Sequence, residues 1–244
     1  MRELISLEVL QDEVRRRAEG LVNEFSGKTD YQFQPIVDVR DGRHEVYGYE
    51  ALLRTKGEGP ESFIKKLRKE GRGHDLELLS FYAGIVRFEE RGLSGMVFIN
   101  SLPHETLSLP ELAYLEKRRT VYERRVIVEN LEDDVLFDAA ALLKKKERFE
   151  NFGYRIALDD YGTGINSVRA LKLFKPEIVK IDKSYVSGAN MDCGRSNSLE
   201  IMIDEIKSQG AMVLAEGVET WSEYETLRYM GVDFMQGFYL GGPE

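Results

Sequence analysis

Asp159 and Asp160 close the apolar run Ile156-Ala157-Leu158 and are followed at once by Tyr161-Gly162-Thr163-Gly164. Adjacent carboxylates repel one another, so either cations neutralise them or water solvates them in a turn. Similar endings recur along the chain. Glu50 lies in the apolar run 45–53, Asn100 ends 95–100, Glu129 lies in 124–130, Lys180 in 177–182, Glu216 in 211–217 and Gln236 in 233–240. A lone acid at the end of such a run is ordinarily a solvated edge residue. Seven consecutive runs that each deliver a carboxylate, amide or ammonium are not accounted for that way. Confined together, so many carboxylates require cations, and oxygen donors without His or Cys select the hard ions Mg²⁺, Mn²⁺ or Ca²⁺. The three histidines, His44, His74 and His104, fall in loops or at helix starts, which argues against zinc. A carboxylate shared by two ions about 3.5–4 Å apart marks two-metal phosphoryl chemistry, and neighbouring acids suit that sharing.

Convergence of this kind needs strands that open on one mouth. Eight short apolar runs qualify: 31–39, 45–53, 95–100, 124–130, 154–160, 177–182, 211–217 and 233–240. Helical patterns lie between most of them. The clearest are His74–Glu89, Asp133–Asn151, Leu199–Ser208 and Ser222–Tyr229, with Gly210 and Gly231 as stops. Strand and helix alternating over 244 residues predict an α/β chain, either a parallel barrel or a doubly wound sheet, and eight strands favour the barrel. One connection departs from the rule. Arg40–His44 is too short for a parallel crossover, and Asp41-Gly42 suits a hairpin. The expected fold is therefore a modified TIM (β/α)₈ barrel with one antiparallel strand.

Residues 1–26 read as an N-terminal amphipathic helix or linker and 27–244 as the barrel. The helix either packs on the barrel or connects to an upstream sensory domain or partner. With 43 acidic against 34 basic residues, the net charge of -9 argues against a grip on long nucleic acid. A small anionic substrate remains compatible if bound cations reverse the local charge. Cys193, the single cysteine, cannot form an internal disulfide, which fits a reducing compartment. No apolar run approaches the roughly 20 residues of a membrane helix, so no membrane insertion and a cytoplasmic location are expected.

These residues carry a resemblance. Tyr49-Glu50-Ala51-Leu52-Leu53-Arg54 resembles the signature of the EAL-domain family, bacterial phosphodiesterases that hydrolyse cyclic di-GMP. Glu-Ala-Leu alone is weak, but further motifs follow in family order from about Tyr31 to Pro243. They are Gln34-Pro35-Ile36, Phe98-Ile99-Asn100, Glu129-Asn130-Leu131-Glu132, Asp159-Asp160-Tyr161-Gly162-Thr163-Gly164, Val179-Lys180-Ile181-Asp182, Ala215-Glu216-Gly217-Val218-Glu219-Thr220 and Gln236-Gly237-Phe238. The family's barrel also has one reversed strand. The resemblance implies that 27–244 is an EAL-type phosphodiesterase barrel binding two Mg²⁺ or Mn²⁺, with Ca²⁺ inhibitory. Glu50, Asn100, Glu129 and Asp159 would hold one ion, and Asp159, Asp160 and Glu216 the other. Lys180 and Gln236 would position the attacking water, with Lys180 or Glu216 as general base. Gln34 and Arg54 would contact substrate, while Glu132 would anchor the loop through Thr163. The implied product is linear pGpG, and the implied assembly is a homodimer formed near the helix Asn166–Phe174. Asp182 and Glu219 read as supporting rather than catalytic residues.

Three departures qualify the match. Ser101-Leu102-Pro103 stands where the family commonly has Leu-Ser-Pro, which questions what supports Asn100. The stretch Thr55–Pro60 looks short, and the chain stops at Gly241-Gly242-Pro243-Glu244 without the helix that often follows. The rival readings are a catalytically silent sensor of cyclic di-GMP, a protein-interaction scaffold, and a hydrolase of a different phosphodiester using the same metal pair.

Overall fold

The computed structural model describes residues 7–102, 104–119, 125–131, 139–162, 167–189, 191 and 193–244. Eight strands close into a barrel in chain order: β1 (Thr29–Asp38), β2 (Glu45–Thr55), β3 (Met96–Asn100), β4 (Val126–Leu131), β5 (Arg155–Tyr161), β6 (Ile178–Ile181), β7 (Met212–Ala215) and β8 (Phe234–Gln236). β1 runs antiparallel to both β2 and β8, and every other pair is parallel. The expected reversed strand is thus β1. Its short connection to β2 turns through Asp41 and Gly42 at φ 53° and 75°. That left-handed pair is what a tight hairpin demands, and Asp-Gly adopts it at little cost.

The reversal matters for the site. It turns the N-terminal end of β1, not its C-terminal end, toward the mouth, pairing Gln34 with Glu50 and Ile36 with Gln236. Inside the barrel, Ile36, Phe98, Ile127, Ala157, Ile178, Leu214 and Phe234 form one fully buried plug. Side chains alternate across a strand, so the residue two positions toward the mouth faces the same interior. Those residues are Gln34, Asn100, Glu129, Asp159, Lys180, Glu216 and Gln236. An apolar floor and a polar mouth therefore follow from one two-residue step, repeated on seven strands.

Helices cover the outside: α1 (Leu7–Phe25), α2 (Pro60–Lys69), α3 (Gly73–Glu90), α4 (Leu109–Arg119), α5 (Ala139–Asn151), α6 (Ser167–Phe174), α7 (Lys183–Val186), α8 (Cys193–Ser208) and α9 (Trp221–Tyr229). The first part of the helix expected over Asp133–Asn151 lies outside the described residues; α5 is its remainder. α2 and α4 answer to no expected helix. α1 buries Val14, Ala18, Leu21 and Phe25, spaced to form one face, against α3 and α4. Arg17 reaches Asp75 at 2.7 Å and Glu111 at 3.3 Å, and Arg72 meets Glu24 at 2.6 Å, so α1 is fastened to the barrel's helical layer. Among the described residues no helix is long and apolar enough to cross a membrane.

Candidate active site

Lys180 stands at the centre of the mouth. Its Nζ lies 2.7 Å from Glu129, 2.8 Å from Glu216, 3.0 Å from Asp159 and 3.7 Å from Glu50. Glu50 in turn accepts from Asn100 Nδ2 at 3.1 Å and from Gln236 Nε2 at 2.8 Å. Gln236 Nε2 also reaches Gln34 Oε1 at 3.3 Å, and Gln34 Nε2 donates to the Gly241 carbonyl at 3.2 Å. The barrel thus gathers Gln34, Glu50, Asn100, Glu129, Asp159, Lys180, Glu216 and Gln236 into one network.

Asp160 joins it by a separate device. Adjacent strand residues normally point to opposite faces, so Asp159 and Asp160 could not share a site on a regular strand. Here the β5–β6 register slips between Leu158 and Tyr161, and Asp160 takes φ 56°. A bulge with a left-handed residue swings the second carboxylate to the side of the first. Oxygens of Asp159, Asp160 and Glu216 then fall within 4.8 Å of one another. Asp160 N donates to Asp159 Oδ1 at 3.0 Å. Beyond the slip, Tyr185 Oη donates to the Gly162 carbonyl at 2.6 Å, and a Cβ on Gly162 would meet Tyr185 and Met202. The chain leaving the two acids is therefore gripped from α7 and α8.

The electrostatics are severe. Burial drives the Glu129 carboxyl well above the usual range and raises Asp159, with Lys180 opposing in both cases. Glu216 is pushed up to about 8, by burial first and then by Asp159 and Glu50, again against Lys180. Burial alone would depress the Lys180 ammonium, yet Asp159, Glu129, Glu216 and Glu50 together hold it well above the usual lysine range. Apart from its ion pair with Lys180, the buried Glu129 carboxylate has no hydrogen-bond partner among the described residues, and neither has Gln236 Oε1. Among the described residues, Glu50, Glu129, Asp159 and Glu216 thus crowd around one ammonium, with Asp160 beside Asp159 and Glu216. Protons or hard cations must supply the remaining positive charge, and the all-oxygen donor set fits a hard divalent cation.

Other expected residues lie further out. Arg54 bonds Gln32 Oε1 at 2.6 Å and its neighbour's carbonyl, on the rim rather than in the carboxylate cluster. Asp182 caps α7 by accepting from Ser184 N at 2.9 Å. Glu132 and Thr163 lie outside the described residues, as does Pro103. Three supports were not foreseen. Gln32 holds Arg54, a partner that the alternation of Gln32 with Gln34 on one strand face could have suggested. Glu223 accepts from Glu219 N and Thr220 N at 3.0 Å and from Gly188 N at 3.2 Å, tying down the loop that follows Glu216. Thr220 and Glu223 carry the spacing of a capping box, a legible signal. The third, a buried cluster behind Asn100, left no trace in the local pattern.

Known proteins resemble this one. A family model described as EAL domain matches residues 20–243. A protein of Escherichia coli K12 named probable cyclic di-GMP phosphodiesterase PdeA is 33% identical, covering 90% of this chain and 34% of its own. Another from that organism, named probable cyclic di-GMP phosphodiesterase PdeN, is 29% identical, covering 86% and 42%. The chain thus spans less than half the length of either relative. Among solved structures, a standalone EAL protein from Vibrio cholerae O395 in its c-di-GMP bound form superposes with a TM-score of 0.80 at 27% identity, covering 88% of this chain and 92% of that one.

Proposed function

The chain belongs to the EAL domain family, and from that premise we propose that it hydrolyses cyclic di-GMP to linear pGpG with the help of two Mg²⁺ or Mn²⁺ ions. The observation that carries the reading is the meeting of five carboxylates, Asn100, Lys180 and Gln236 at one mouth, with donor oxygens of Asp159, Asp160 and Glu216 within 4.8 Å. Glu50, Asn100, Glu129 and Asp159 would hold one ion, and Asp159, Asp160 and Glu216 the second. Bound there, the ions lower the pKa of a water and neutralise charge on the phosphodiester. Lys180 and Gln236 orient that water. Lys180 or Glu216 serves as the general base that takes its proton. Oxygen–phosphorus bond formation and loss of the 3′-oxygen, which takes a proton from solvent, open the ring and leave a 5′-phosphate. Arg54 swings from Gln32 to a phosphate, which its fork geometry suits, and Gln34 orders the rim of the pocket.

One assay tests this. Purified protein incubated with cyclic di-GMP and Mg²⁺ or Mn²⁺ yields pGpG, while Ca²⁺ occupies the site and supports little turnover. Binding without turnover would make the protein a sensor, and neither would leave a scaffold.

Proton release gives a second check. At pH 7 the metal-free Glu216 carboxyl, pushed up to about 8, is mostly protonated. Cations bind the carboxylate form, so uptake displaces protons from Glu216 and from the Glu129 and Asp159 carboxyls that burial also raises, and affinity climbs with pH. Calorimetric Mn²⁺ titrations at pH 7 in two buffers of different ionisation enthalpy measure that release. Identical heats in both would sink the expectation.

A further inference from the structure

Behind the mouth, α3 and α5 enclose a pair of opposite charges that the chemistry above does not use. Glu77 is fully buried, and Lys145 and Ser101 are each only 6% exposed. Glu77 Oε1 accepts from Ser101 Oγ, its Oε2 accepts from Leu102 N at 2.7 Å, and Lys145 Nζ donates to Leu102 O at 2.7 Å. Lys145 Nζ stands 3.7 Å from Glu77 Oε1. The pair therefore grips one stretch of chain by its hydroxyl, its N–H and its carbonyl. Ser101 N also donates to Glu129 O at 3.0 Å, joining that stretch to β4.

Stability does not account for such a pair. Taking both charges out of water costs several kcal/mol per ion, and a well-packed apolar pair of similar volume is often as stable or more so. Burial raises the Glu77 carboxyl above its usual range despite Lys145, Ser101 and Leu102. What an apolar pair could not do is hold both dipoles of the Leu102 backbone. Leu102 lies two residues beyond Asn100, and Ser101 is its direct neighbour. Asn100 is the neutral member of the proposed donor set, so it draws no cation by charge and depends on placement. Ser101 in place of an apolar side chain is also what lets a hydroxyl meet Glu77.

We infer that Glu77, Lys145 and Ser101 are positioning residues that set Asn100 for a divalent cation. The inference rests on the reading of Asn100 as a ligand. Its test uses the full chain, with Glu77→Leu/Lys145→Met as an apolar replacement and Ser101→Ala as a milder one. Mn²⁺ binding is read by calorimetry without substrate, and melting is followed in chelator. The double variant is expected to stay folded in chelator yet bind Mn²⁺ about 10–100-fold more weakly, the usual loss when a ligand's support is removed. Ser101→Ala shifts affinity the same way by a few-fold, and it keeps the test open should the double variant fail to fold. Saturating Mn²⁺ restores most of the turnover in both. Mn²⁺ affinity unchanged in the variants overturns the positioning role alone, whatever their melting temperature. A wild-type protein that takes up no Mn²⁺ overturns the ligand reading and this inference with it.

Discussion

Glu50→Ala is expected to lower the proposed cyclic di-GMP hydrolysis by about 10³-fold or more while its barrel stays folded. The activity loss follows from the proposed ligand set: an ion in this chemistry supplies several kcal/mol of charge stabilisation, and each 1.36 kcal/mol is tenfold in rate. The folding half follows from electrostatics. Glu50 pushes up the carboxyls of Glu129, Asp159 and Glu216, so deleting it relieves repulsion in the metal-free protein. Asn100 Nδ2 and Gln236 Nε2 lose their acceptor, which offsets part of the gain. Melting in chelator is therefore expected at or slightly above wild type. With Mg²⁺ the order reverses, because only wild type gains stability by binding. Chromatography for pGpG and paired melts with and without Mg²⁺ read both halves. Near-wild-type turnover would remove Glu50 from the site, and collapse in chelator would make its role structural.

The mouth was legible because a strand has a period of two. Phe98 and Asn100, Ile127 and Glu129, Ala157 and Asp159, Ile178 and Lys180, Leu214 and Glu216, Phe234 and Gln236 each pair a plug residue with a site residue. On β1 the order is inverted, Gln34 before Ile36, which is what a reversed strand requires, and Asp41-Gly42 announced that reversal. Where the period breaks, reading by alternation fails. Asp160 reaches the site only through a register slip and a left-handed residue, neither visible in its spacing. α2 was missed because its few apolar residues, such as Phe63 and Leu67, sit among charges. The Glu77–Lys145 pair was invisible for a different reason. Within its own helix each is one more polar residue, and only the packing of α3 beside α5 turns them toward each other.

Lys180→Met carries the opposite sign from Glu50→Ala in the metal-free protein, and the contrast separates the roles of acid and ammonium. Lys180 is the one cationic side chain that the described residues bring within 4 Å of Glu129, Asp159 and Glu216. Breaking a buried charge pair by removing one partner costs about 3–5 kcal/mol. Since a 1 kcal/mol change moves melting by about 2–4 °C in a chain of this size, a drop on the order of 10 °C in chelator is expected. The drop depends on pH. Glu129, Asp159 and Glu216 already titrate above their unfolded values, so their protonated forms are favoured in the fold and stability declines as pH rises through the folded values. Without the ammonium those values climb further, so the deficit is small near pH 5 and grows toward pH 9. Divalent cations supply the missing charge, and Mn²⁺ should raise melting more in the variant than in wild type. Turnover is expected to stay low even then, because the ammonium proposed to orient the water is gone. A variant that melts like wild type in chelator at pH 9 would mean that the carboxylates share their protons without Lys180, and that the lysine serves the water alone.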